Sequence, residues 1–153
     1  KNDFPNSVEG LSSRQFNFRV GKNGLTLKDC VYKLISIENN LWVATKACLK
    51  QEASSVKKTM PDDEALYSLV QQKNFQCNEL KFENIKEALK FYKDQRNEML
   101  KYVHTSTENV RAHVGKTCIG NFDAYQLLLL NAFFSKYYTQ QIEELKTSPN
   151  FPK

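Results

Sequence analysis

Three stretches of the chain place apolar side chains at helical spacing, and each carries its own start signal. Leu27, Val31, Leu34, Ile35, Leu41 and Trp42 form one stripe, preceded by Thr26 as N-cap with Asp29 three residues on, which predicts a helix to about residue 52. Ile85, Ala88, Leu89, Tyr92, Met99, Leu100 and Val103 form a second, with Asn84 and Glu87 at its start and an end near residue 105. The third covers residues 121–146, starting near Asn121 or Asp123, where Leu127, Leu130, Phe134, Tyr138 and Leu145 fall on one face and require a core. Pro149 limits that helix. Residues 1–10 read as the tail of a further, truncated helix, limited by Pro5 and ended by Gly10. Residues 54–81 form a long connection with a short helix at 61–72, where Pro61 is followed by Asp62, Asp63 and Glu64. No strand pattern competes. The expectation is one all-α domain over residues 1–153: an antiparallel four-helix bundle with one long connection between its second and third helices.

Four patches resemble one known family. The last helix, AYQLLLLNAFFSKYYTQQIEELK, is similar to the closing helix of the DinB-like (YfiT-like) four-helix-bundle superfamily. Gly10-Leu11-Ser12, Gln15 to Phe18 and Leu25 to Leu34 resemble the family's turn and second helix, with Leu25 where the family has a tryptophan. FYKDQRNEML, containing Arg96, resembles the third helix and its arginine, and HVGKTCIGNFD resembles the entry to the last helix. The resemblance implies a divalent metal held by three histidines, one on the second helix and a His-x-x-x-His pair on the last. Here those positions fall on Lys33, Phe134 and Tyr138.

None of the three suits a metal. Phenylalanine offers no donor atom, lysine is a cation, and a tyrosine would have to ionise from a reference pKa of about 10. The expectation is therefore no metal and no cofactor, with Phe134 and Tyr138 filling the former metal cavity. Polar residues interrupt the stripes at Glu38, Asn131 and Gln141, and a buried carboxylate has to be paired. Glu38 and Gln141 also match polar positions of the family pattern. Lys33, Glu38, Asn131, Phe134, Tyr138 and Gln141 are the candidate pocket residues, either as a small polar pocket or as a hydrogen-bonded core.

Charge and cysteine usage narrow the partners. The net charge of +5 comes from 22 basic against 17 acidic side chains, but the lysines of the third helix alternate with Glu83, Glu87, Asp94 and Glu98. That is a solvated face rather than a nucleic-acid footprint. No apolar run approaches the roughly 18–20 residues that a membrane span needs. Cys30, Cys48, Cys77 and Cys118 form no C-x-x-C pair and read as reduced thiols of a cytoplasmic protein, although a structure could bring two together. His104 sits at the end of the third helix and suits its dipole, and His113 lies in a turn; neither has a partner histidine.

Two functions are compatible with these residues. The first is a non-catalytic DinB-like module that binds a small ligand or self-associates. The second, implied by the resemblance, is a divergent enzyme of the thiol-dependent transferase or hydrolase type, active through other groups. No Ser-His-Asp set, nucleophile elbow or phosphate loop supports the second. A truncated first helix would leave Leu127, Phe133 and Tyr137 partly uncovered, which predicts a homodimer.

Overall fold

The structure, a computed structural model, describes residues 4–52, 57–59, 63–72 and 77–153. These residues are mostly helical. Two short helices, α1 (Phe4–Val8) and α2 (Ser13–Phe16), precede the long α3 (Leu27–Leu49), and α4 (Leu66–Val70) lies in the connection to α5 (Ile85–Thr105). A hairpin of β1 (Val114–Thr117) and β2 (Gly120–Asp123) leads into α6 (Ala124–Lys146). No helix among the described residues is long and apolar enough to cross a membrane.

The caps follow the side chains that the sequence offers. Thr26 accepts from the Asp29 backbone N–H while Asp29 accepts from that of Thr26, both at 3.0 Å. Asn84 accepts from the N–H of Glu87 at 2.9 Å and opens α5. Asp123, not Asn121, caps α6 through a reciprocal pair with Gln126. Each such cap is worth about 1 kcal/mol. A capping box at Ser12 and Gln15 also sets the single turn of α2, which the apolar pattern does not foretell because one turn carries no period. Of the short helix expected at 61–72, Pro61 and Asp62 lie outside the described residues; from Asp63 the chain makes a 3-10 turn and then α4.

The core forms where α3 meets α6. Leu27, Val31, Leu34, Ile35 and Leu41 of α3 and Leu127, Leu130 and Phe134 of α6 are buried, each contributing roughly 1.5–3 kcal/mol by leaving water. Leu127, expected at a partly uncovered surface, is fully buried because β1 covers it: a Cβ on Gly115 would stand 3.1 Å from its Cδ1 and 3.2 Å from the Ala44 carbonyl oxygen. Glycine is what lets the strand lie this close to α3 and α6. Phe133 and Tyr137 remain half-buried.

Two expectations change here. Residues 114–123 form a hairpin rather than a plain turn, with Thr117 opposite Gly120 and a two-residue loop at Cys118 and Ile119. Four-residue strands are too short to show an alternating pattern, and the positive φ of Gly120, +134°, is a local property of the turn. The second change is direction. Tyr32 near the start of α3 stacks on Phe82 just before α5, and Trp42 further along α3 meets Tyr102 near the end of α5. α3 and α5, the second and third helices of the expected bundle, therefore run the same way rather than antiparallel. Parallel neighbours need a connection that returns along their length, which explains the long segment between α3 and α5.

Cys77 and Cys118 are joined by a disulfide, correcting the expectation of four reduced thiols, while Cys30 and Cys48 are free and buried. No spacing rule could have paired them, since the contact depends on the connection crossing the hairpin tip. The bond closes a loop with a sequence separation of 41, for which chain entropy gives about 4 kcal/mol. Urea denaturation with and without reductant should differ by that order. Thiol titration of the unfolded, non-reduced protein should count two reactive cysteines and not four.

Candidate functional site

A cavity of about 360 Å³ lies between the first half of α3 and the second half of α6. Lys33 and Ile37 lie one turn apart on α3 and both reach it, as Tyr138, Gln141 and Leu145 do from α6. Val20 and Leu25 contribute from the loop before α3, Val70 from α4, and Cys77 and Glu79 from the connection. That last segment is fixed twice, by the Cys77–Cys118 bond and by the Leu80 backbone N–H donating to Ser36 Oγ at 2.8 Å.

Three of the six candidate residues meet in this cavity: Lys33, Tyr138 and Gln141. Phe134, one turn before Tyr138, is 1% exposed and belongs to the packed core instead. Glu38 and Asn131 are also absent from the cavity wall. Glu38 follows Ile37 by one residue, a turn of about 100° around α3, which carries it toward α5. There Arg96 donates through Nη2 to Glu38 Oε1 and to the Asn131 carbonyl oxygen. The sequence grouped six residues on two stripes, whereas the fold divides them between a cavity, a core and an ion pair.

Cys30, Ser36, Tyr137 and Glu79 line the cavity and were not singled out as site residues. Cys30 stands one turn before Lys33 and Tyr137 one turn before Gln141, so helical spacing alone would have found both. Glu79 lies in irregular chain, where no period signals a direction.

The electrostatics favour protonated donors. Burial, aided by the Asp29 charge, raises the Cys30 thiol to about 11. Burial likewise pushes the Tyr138 hydroxyl up to about 12, with Cys30, Tyr137 and Glu79 adding to the effect. Neither group ionises near neutrality, so the cavity holds neither a thiolate nucleophile nor a phenolate ligand. Lys33 Nζ lies 3.7 Å from Glu79 Oε1, a partly exposed pair that is weak in water. An ammonium, a phenol and a buried phenyl ring do not fit a divalent metal. Among the described residues no group of three or more His, Cys, Asp or Glu is arranged to hold one.

On the other side of the same helices Glu38 is fully buried, and its Oε2 has no hydrogen-bond partner among the described residues. Burial raises its carboxyl to about 7, with Arg96 opposing the shift. No family model, no curated protein and no solved structure matches the chain.

The Glu38 shift has a sign. Its folded pKa exceeds the unfolded one, so the stability it contributes is complete below about pH 4.5 and is lost as pH rises through about 7. Denaturation of the wild type is expected to lose on the order of 1–3 kcal/mol between these pH values relative to Glu38→Gln, which keeps the partner of Arg96 and removes the titration. Identical pH profiles for the two proteins would exclude this role.

Proposed function

We propose that the chain is a divergent DinB-like four-helix bundle that binds a small molecule between α3 and α6, without a metal and without catalysis. The observation that carries this reading is that Lys33 and Tyr138, which fall on two of the family's metal-ligand positions, line one cavity from facing helices. The two residues are 105 positions apart in sequence, while Phe134, at the third of those positions, is packed in the core and does not line the cavity. In the bundle α1 takes the place of the first helix, with Phe4 against Tyr92 and the Ser7 carbonyl oxygen accepting from Lys146 Nζ.

The enzyme reading has less support, because the raised Cys30 thiol is a poor nucleophile and Lys33, Phe134 and Tyr138 supply no metal donor set. A cavity walled by apolar residues with a few convergent polar groups fits binding better. The Cys77–Cys118 bond supports an oxidising compartment rather than the cytoplasm expected from sequence.

Self-association has its own observation. α5 turns Leu89, Tyr92, Arg96 and Leu100 toward a second groove, of about 1220 Å³, which Pro5 and Val8 of α1 and Phe133 and Lys136 of α6 also line. Leu100 is 50% exposed, and Val103, next on the same face of α5, is 51% exposed. A second copy packing about a two-fold axis would cover this strip. Light scattering at micromolar concentration is expected to give twice the chain mass of 17.8 kDa, and a stable monomer removes the dimer.

Metal content tests the main reading. Elemental analysis after dialysis should find no stoichiometric nickel, zinc or iron. Phe134→His with Tyr138→His should remain a weak zinc binder, since Lys33 keeps its ammonium in the cavity and position 134 lies in the packed core. About one metal per wild-type chain would sink the proposal.

A further inference from the structure

The Lys33 ammonium, the Tyr138 hydroxyl and the Gln141 carboxamide are among the hydrogen-bond donors that line the cavity between α3 and α6, with Ser36, Gln72 and Tyr137. Among the described residues none of the first three side chains makes a hydrogen bond, and Lys33 has only its 3.7 Å ion pair with Glu79. Ammonium donates three hydrogen bonds and accepts none, while the phenol and the amide each donate as well. The complement of such a set is an oxyanion.

The rest of the wall defines the ligand's body. Val20 and Leu25 line the cavity and yet are 58% and 45% exposed, an apolar lip whose contact with water a hydrophobic tail would relieve. A volume of about 360 Å³ leaves room for on the order of a dozen non-hydrogen atoms, taking a water's share of liquid volume as the yardstick. The charge is also limited. One ammonium beside one carboxylate can neutralise a single negative charge once Glu79 turns to solvent, where half of its side chain already lies. A phosphate, with nearly two charges, would lack a second cation.

We infer that this cavity binds a small amphipathic monocarboxylate, which displaces Glu79 from Lys33, accepts from Tyr138 and Gln141, and lays its apolar end against Val20 and Leu25. The inference rests on the small-ligand reading of this cavity and adds the chemical class.

Calorimetry with 4-phenylbutyrate, 4-phenylbutyramide and 4-phenylbutylamine tests it, because the three share a body and differ in head group. The acid is expected to bind at least about tenfold more tightly than the amide, and the amine most weakly. Lys33→Met should erase the advantage of acid over amide. Glu79→Gln, a change at a surface carboxylate that folding tolerates, should tighten the acid by about two- to fivefold by removing the competing anion. Lys116→Met, an exposed cation on β1, is the control and should change nothing. Amide binding equal to acid binding, or an advantage that survives Lys33→Met, overturns the carboxylate assignment and leaves the pocket. If none of the three binds at millimolar concentration, the pocket reading falls with it.

Discussion

Helix α3 is buried on almost every side, and this single constraint shapes its neighbours. Its buried residues include Leu34, Ile35, Ile37, Glu38 and Leu41, which point in successive directions around the axis. A helix so enclosed needs a partner on each face. α6 takes one face, α5 a second, and the hairpin takes the third, close to Cys48 and Ala44. Because α5 runs parallel to α3, the connection between them must return along the bundle, and in returning it forms a wall of the cavity.

The polar side chains of α3 show two solutions to the same problem. Glu38 is fully buried and meets Arg96, whose guanidinium is itself stacked over Tyr92 at 5.5 Å. The pair organises the α3–α5 contact, although burying two charges gives little net stability over an apolar pair of similar volume. Lys33, five residues earlier, faces a cavity instead. Its side chain is 35% exposed and paired with Glu79, so it costs the fold little. One charge of α3 thus lies in a buried contact and another in an open cavity.

Much of the fold was legible because helical periodicity and capping chemistry are local. Thr26 with Asp29, Asn84, and Asp123 with Gln126 mark the three long helices to within a few residues, and the α3 stripe is buried as its spacing requires. The direction of α5 was not legible, since amphipathicity specifies a face and not an orientation. For the same reason Leu100 and Val103 follow the α5 stripe and yet remain half exposed. At the site, Lys33, Tyr138 and Gln141 line one cavity while Phe134 packs in the core. Glu38 and Asn131 were grouped with them because a stripe on a helical wheel is wide, and 100° of rotation is enough to carry a side chain from a cavity to the neighbouring helix. Glu79 and the Cys77–Cys118 bond depend on the path of irregular chain, which no pattern encodes.

The position of Cys118 in the hairpin loop links two parts of the fold that share no hydrogen-bond ladder. Strand pairing has a period of two, so sliding β1 against β2 by one residue would turn every side chain of the slipped strand to the opposite face. In the register observed, Cys118 sits in the two-residue loop and is bonded to Cys77. The bond therefore ties the hairpin loop to the segment that forms one wall of the cavity.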